Sequence, residues 1–457
     1  MTHVDLAIIG TGSGNSLVTP DFDDAQVAII EKGTFGGTCL NVGCIPTKMF
    51  VHSAEVADSA RDSARFGVDA RVAAVRWADI RDRIFGRIDP IAEAGKRYRI
   101  DGPNTRALLG HARFIGDRHL EVQLNDGGTE QITADQVVVA TGARPVIPEE
   151  IERSGVPYVT SDEVMRIDEL PRSLAIYGAG VVACEFAHIF SGLGVRVSII
   201  ARGPRLLRAY DEEVSEAFTR IARHKWEVYT ERTVSTAERA GEGVRLTLDD
   251  GTRVEAEMLL VATGRRPNSD DIGARAGGIE VLSDGFVKVD EFGRTTAPGV
   301  WALGDVSSPY LLKHVANAEA RAVAHNLVHP GELRRLPRKA VPSAIFSDPQ
   351  IATVGETEAE LQARGAEYVS KVQSYGDTAY GWALEDTTGI CKVLADPSTR
   401  CLLGVHIMGL QASTLIQPAI TAMALDIPAD ELARDQYWIH PALSEVLENA
   451  LLGLDFD

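Results

Sequence analysis

Cysteine is scarce. Five in a chain of 457 residues are too few for a disulfide framework, and the odd total leaves at least one thiol unpaired. Positive charge is also short: 46 Lys and Arg stand against 65 Asp and Glu, a formal net charge of −19. The overall field therefore repels nucleic acid and anionic membrane surfaces. No apolar run approaches the roughly 18 residues of a membrane span, and Met1 to Asp5 lead into a strand-like run without a basic-then-apolar leader. The expected address is the cytoplasm. Cys and His pairs at metal-ligand spacing are missing too, so no metal is expected. What remains is 45% hydrophobic and 24% charged, with 42 Gly and 20 Pro. That composition excludes disorder and collagen-like repeats, and the length suggests roughly three domains.

Short β-branched runs end in glycine or an acid at residues 4–9, 25–30, 136–139, 173–177, 195–200 and 258–261, with helical segments such as 181–192 and 212–224 between several of them. These read as buried parallel strands alternating with helices, hence open α/β sheets. Val139-Ala-Thr-Gly-Ala-Arg-Pro145 is echoed by Val261-Ala-Thr-Gly-Arg-Arg-Pro267, which favours two similar units. A basic stretch at 334–339, among prolines, reads as a linker. Beyond it, strand-like runs (351–354, 390–394, 402–407) and helical segments (415–424, 442–452) suggest a separate C-terminal domain.

Two glycine turns follow strands. In the first, Gly10, Gly12 and Gly14 precede Asn15, and Glu31 closes the next strand. Glycines there permit a tight turn and close pyrophosphate approach, and the carboxylate takes ribose hydroxyls. The sixth place normally holds Gly or Ala for helix packing, so Asn15 is a departure. The second turn, Gly178, Gly180, Val181, Val182, Ala183, is followed by Arg202, Arg205 and Arg208 with no acid. Arginines there suit the 2′-phosphate of NADPH; the alternative is a solvated charged loop.

Gly36-Gly37-Thr38-Cys39-Leu-Asn-Val-Gly43-Cys44-Ile-Pro46-Thr-Lys48 carries the strongest chemical signal. Five residues of regular helix rise about 7.5 Å, too far for easy disulfide geometry, so the glycines must allow a distorted turn at a helix start. A helix start also stabilises a thiolate. A stapling disulfide or a zinc pair are the alternatives. Cys184, Cys391 and Cys401 lie on apolar helix or strand segments and read as buried and inert. His440, five residues before Glu445, is either a helix cap or the proton donor a departing thiolate needs.

Together with Gly110-His-Ala112-Arg-Phe114, Thr141-Gly142, Gly304-Asp305 and the His440 to Glu445 segment, these motifs stand in the order of the pyridine nucleotide–disulfide oxidoreductases, two-cysteine flavoproteins that the whole chain resembles. The resemblance implies an α/β fold: two Rossmann-like dinucleotide-binding domains, for FAD (1–148 and 269–336) and NADPH (149–268), and an α+β dimerisation domain (337–457). It implies cofactor contacts at Gly10, Gly12, Gly14, Glu31, Gly37, Thr38, Lys48, Ala112, Thr141, Gly142, Asp305, His314 and Ala316, and at Gly178, Gly180, Val181, Val182, Glu185, Arg202, Arg208 and Gly264. Lys48 and Glu185 would form an ion pair beside the flavin. Opening of the Cys39–Cys44 disulfide would leave Cys44 as the flavin-facing thiolate and Cys39 free to attack the substrate disulfide, while His440, held by Glu445 and contributed by the partner of a homodimer, protonates the departing thiol. Ala442 stands where the family usually has threonine, and Val181 where glutathione-reducing members carry an aromatic gate.

Segments at 10–16, 85–90, 305–314 and 375–382 resemble the branch of the family that reduces mycothione, a sugar–inositol disulfide without net charge. Residues 17–24 contain three acids and no cation, which disfavours an anionic disulfide. Dihydrolipoamide dehydrogenases, the enzymatic alternative, expect an acid where Arg202 stands. Mercuric reductases would need a cysteine pair that residues 452–457 lack. A flavin-binding scaffold without turnover is the alternative of another class.

Overall fold

The computed structural model describes residues 1–456. The N-terminal part contains β1 (Thr2–Ile9), β2 (Val27–Glu31), α1 (Gly37–Asn41), α2 (Cys44–Asp62), α3 (Trp77–Ile100), β3 (Thr105–Gly116), β4 (His119–Leu124), β5 (Thr129–Val139) and β6 (Ala143–Pro145). β1 lies between β2 and β5, parallel to both, with Ile9 opposite Ile30 on one side and Val139 on the other. Covered on both faces, β1 has no polar alternation over Leu6 to Ile9, all buried. Within one six-stranded sheet, β3 and β5 each have partners of both kinds: one stretch pairs in parallel with β2 or β1, another antiparallel with β4.

The middle of the chain forms α4 (Glu149–Glu152), β7 (Ser173–Tyr177), α5 (Val181–Gly192), β8 (Arg196–Ala201), α6 (Glu212–Lys225), β9 (Glu227–Thr230), β10 (Val234–Ala240), β11 (Gly243–Leu248), β12 (Arg253–Ala256), β13 (Met258–Val261) and β14 (Arg265–Pro267). A parallel sheet runs β13-β7-β8-β9, beside an antiparallel sheet β10-β11-β12. The echoed peptides meet: β6 and β14 pair antiparallel, with Ala143 opposite Pro267. They carry the chain from the first sheet to the second and back. The chain then returns to the first sheet through β15 (Val300–Ala302), which adds onto β5, and α7 (Lys313–Val328).

The remainder is β16 (Pro342–Ile345), β17 (Ile351–Gly355), α8 (Glu358–Ala363), β18 (Val369–Ser374), α9 (Ala379–Leu384), β19 (Ile390–Ala395), β20 (Leu402–Met408), α10 (Ala412–Leu415), α11 (Gln417–Leu425), α12 (Ala429–Arg434) and α13 (Ser444–Leu452). Its antiparallel sheet runs β16-β17-β20-β19-β18, with its own core of Val393, Val405, Ile407, Ala419, Val446 and Leu447. The basic stretch before it is tied down: Leu336 is buried and donates its N–H to the Glu291 carbonyl at 2.7 Å, and Lys339 pairs with Asp426 at 2.6 Å.

One expected element is different. No α-helix follows the first glycine turn; two 3-10 turns, Gly14–Leu17 and Pro20–Phe22, take its place. Asn15 is held by the buried Arg99, whose guanidinium reaches its side-chain oxygen and its carbonyl, both at 2.8 Å. An interior helix carbonyl would be occupied by its own i+4 amide, and Pro20 lacks the N–H to continue a helix. Among the described residues no helix is long and apolar enough to cross a membrane.

Candidate active site

The first glycine turn is built for close approach. Gly10 has φ +105, and a Cβ on it would sit 2.3 Å from the Ala140 carbonyl oxygen. A Cβ on Gly37 would lie 2.6 Å from the Cα of Gly12, so the turn abuts the start of α1. Buried Thr11 donates its N–H (2.9 Å) and hydroxyl (2.6 Å) to Glu31 Oε2, and Gly33 donates to Oε1 at 2.8 Å. These bonds fix Glu31 and leave it further acceptor capacity for ribose hydroxyls. Asp305 is half-buried, burial pushes its carboxyl up, and it accepts no hydrogen bond from the described residues. Unused acceptor capacity there and a glycine-only cradle at Gly10 fit FAD. Thr141 and Asn268 exchange hydrogen bonds beside Gly142, and Ala316 underlies Gly304. Ala112 is a core residue of β3 opposite Val122, and His314 bonds the Pro342 carbonyl at 2.8 Å.

The second turn repeats the device. A Cβ on Gly178 would meet the Ala262 carbonyl oxygen at 2.1 Å, whereas Gly180 and Gly264 face open space. Val181 and Val182 are the half-buried first residues of α5. Arg202 and Arg208 are exposed and form no ion pair with any described residue. Arg205 differs, since its guanidinium is paired with Glu212 at 2.6 Å. An exposed, unpaired pair of guanidiniums beside the turn fits a phosphorylated dinucleotide.

The cysteine segment breaks where close approach requires glycine. α1 ends at Asn41, and Cys44 is the first residue of α2. A Cβ on Gly43 would stand 2.9 Å from the Thr38 carbonyl oxygen and 3.3 Å from the Cys39 Cα. The helix-start stabilisation expected for the pair therefore acts across the break. The Cys44 thiol, and the N–H groups of Cys44 and Ile45, stabilise charge on the Cys39 sulfur, which falls to about 7 against the opposing effect of burial. The bond to Cys39, and burial, push the Cys44 thiol up. Cys184 and Cys391 are buried and their thiols pushed up by desolvation; Cys401 is half-buried rather than buried.

Lys48 and Glu185 approach without forming the expected pair. Lys48 Nζ is 3.6 Å from Glu55 and 4.3 Å from the centroid of the Phe346 ring, and Glu185 accepts the Phe346 N–H at 2.9 Å. Glu55 lies two turns along the same helix and competes for the ammonium. Burial raises Glu185 to about 7, against the pull of the Phe346 N–H and the Lys48 charge. His440 precedes α13 by four residues and is exposed. Its Nδ1 meets Glu445 Oε1 at 2.8 Å, while Glu445 Oε2 takes the Ala442 N–H at 3.2 Å. The carboxylate orients the imidazole and leaves Nε2 outward. Thr11, Arg99 and Phe346 were not legible as site residues, because their partners lie far away along the chain. Lys313, whose charge also lowers Cys39, carried one signal: a cation opening a helix.

Residues 4–322 match the model of the pyridine nucleotide-disulphide oxidoreductase family, and residues 341–451 match that family's dimerisation domain. The chain is 55% identical over 462 aligned positions to a mycothione reductase of Mycobacterium tuberculosis, covering 99% of this chain and 100% of the relative. It is 34% identical over 455 positions to a mercuric reductase of Streptomyces lividans, with 97% and 94% covered. Among solved structures, the copper(II) complex of an HOCl-induced flavoprotein disulfide reductase from Escherichia coli superposes with a TM-score of 0.88 at 27% identity, covering 99% of each chain. With its two dinucleotide turns, its paired cysteines and its C-terminal sheet, the chain belongs to the pyridine nucleotide-disulphide oxidoreductases, flavoprotein disulfide reductases that use FAD and NAD(P)H and carry a dimerisation domain.

Proposed function

We propose that the chain is an NADPH-dependent reductase of mycothione. The observation that carries the chemistry is the break at Gly43, which lets the start of α2 hold negative charge on Cys39. Mycothione as substrate is supported by the 55% identity to a mycothione reductase. The exposed acids Asp21, Asp23 and Asp24 also disfavour an anionic disulfide.

In this reading residues 1–148 and 269–336 hold FAD, 149–268 hold NADPH, and 337–457 pair two copies of the chain in the cytoplasm. Gly10, Gly12, Gly14, Glu31 and Asp305 hold the first cofactor; Gly178, Gly180, Arg202 and Arg208 hold the second. FAD held by these residues would supply the two-electron chemistry that links NADPH oxidation to opening of the Cys39–Cys44 disulfide. Cys39 then attacks one sulfur of the substrate disulfide and forms a mixed disulfide. His440 from the partner, oriented by Glu445, gives its proton to the departing thiolate. Cys44 attacks Cys39, releases the second thiol and restores the disulfide.

Anaerobic NADPH treatment followed by iodoacetamide and peptide mass analysis tests this. Cys39 should be labelled only after NADPH, and faster than Cys44. Labelling that does not depend on NADPH would refute the assignment.

A further inference from the structure

Lys313 breaks a local rule. It is the first residue of α7, a helix of 16 residues with no acid in its first turn, where the dipole's positive end disfavours a cation. It is half-buried and forms no ion pair with any described carboxylate. A cation kept in such a position points to an anion brought by a ligand.

The contacts of the ammonium locate that anion. Lys313 Nζ donates to Ser13 Oγ at 2.9 Å, and Ser13 Oγ donates in turn to Asn317 Oδ1 at 3.1 Å. An ammonium has three N–H groups, so two are left for a ligand. Ser13 is a buried residue of the first glycine turn, and neither its N–H nor that of Gly12 donates to a described residue. Buried amides rarely stay unpaired, so a ligand is the expected acceptor. Ammonium and amides lie together where the glycines open the turn to a pyrophosphate.

This turn needs a charge from elsewhere. In the usual arrangement the helix after it aims the positive end of its dipole at the pyrophosphate. Here 3-10 turns of four and three residues replace that helix, too short to sum much of a dipole. Residues 10–24 contain three acids and no cation, and the Arg99 guanidinium is committed to Asn15. Lys313 brings the missing charge from 300 residues further along the chain.

We propose that Lys313 is a ligand of the FAD pyrophosphate: anchored on the Ser13 hydroxyl, its ammonium pairs with the phosphate charge and supplies the attraction that a helix after the first glycine turn would otherwise give. The inference adds a residue outside the cofactor motifs and rests on FAD occupying this turn.

The test is the rate of FAD release from the holoenzyme, followed as the rise in flavin fluorescence after dilution, for the wild type and for Lys313→Met, Lys313→Gln and Lys313→Arg. Each is measured at about 0.1 M and about 1 M salt, which shortens the screening length from about 10 to about 3 Å. The Met and Gln variants should both release FAD about tenfold faster at the lower salt, the low end for a lost hydrogen bond to a charged group. The Arg variant should stay within about threefold of the wild type. High salt should speed release from the wild type more than from the Met or Gln variant. Phosphorus NMR of the bound cofactor should show the pyrophosphate resonances displaced in the Gln variant. Unchanged release in both uncharged variants, or phosphorus resonances that stay in place, would overturn the proposal. The Gln variant keeps a donor for Ser13, so fast release confined to the Met variant would make Lys313 only an anchor and overturn it as well. A displaced visible flavin spectrum without faster release would put the charge at the ring, again against the proposal. If both uncharged variants are isolated without flavin, titration with FAD replaces the rate, and an affinity equal to that of the Arg variant would count against Lys313. A wild type that holds no FAD would sink the disulfide-reductase reading instead.

Discussion

Replacing Arg202 and Arg208 together by Leu removes two guanidiniums that are exposed and unpaired, so no buried carboxylate is stranded and the loss reads on the cofactor alone. A hydrogen bond to a charged group contributes roughly 1.5–3 kcal/mol, and solvent exposure keeps it at the lower end. Two such contacts sum to about 3 kcal/mol, which corresponds to a rise of about 100-fold in KM for NADPH. NADH has no 2′-phosphate, and its KM should change less than about twofold. The assay is steady-state oxidation of each dinucleotide at one saturating disulfide concentration. Arg205→Leu is the internal control. Its guanidinium is paired with Glu212, so the substitution should lower Tm without altering the NADPH to NADH ratio. Equal losses for both cofactors in the double variant would refute the assignment of this loop to the phosphate.

Cys39→Ser should abolish disulfide turnover while NADPH still bleaches the flavin absorbance; undiminished turnover would remove Cys39 from its role. Glu445→Gln leaves His440 without its carboxylate partner at 2.8 Å. It should lower kcat with the disulfide about tenfold or more and leave the rate of flavin reduction unchanged in stopped flow. A third substitution tests stability rather than chemistry. Lys392 is buried against Asp211 at 3.1 Å and Glu358 at 2.6 Å, so Lys392→Met strands buried charge and should cost about 3 kcal/mol in urea unfolding. The hydrogen bond from Lys392 holds Glu358 below its ordinary 4.5. That stabilisation is present above 4.5 and is lost as pH falls through the lowered value, so the variant's stability should depend less steeply on acid pH.

Elements whose bounds are set locally could be read from the sequence nearly to the residue. β7, β13 and α5 occupy the expected 173–177, 258–261 and 181–192, because each strand is an apolar run stopped by a turn and the helix follows a glycine motif. Local reading failed where a distant residue decides the outcome. Arg99, far along the chain, holds Asn15 and leaves 3-10 turns where the motif led one to expect a helix. The echoed peptides were visible as a repeat, but only the fold shows that they pair with each other through β6 and β14. At the site, the residue types were legible and their partners were not. Lys48 reaches Glu55 and Phe346 rather than Glu185, since Phe346 arrives on the loop after β16 with no sequence signal of its own.

Steady-state NADPH oxidation by the holoenzyme against mycothione, glutathione disulfide, lipoamide and cystine bis-γ-glutamate tests the central claim most directly. The account predicts the highest kcat/KM for mycothione and weak turnover of the anionic glutathione disulfide. A higher kcat/KM for any of the other three would contradict it.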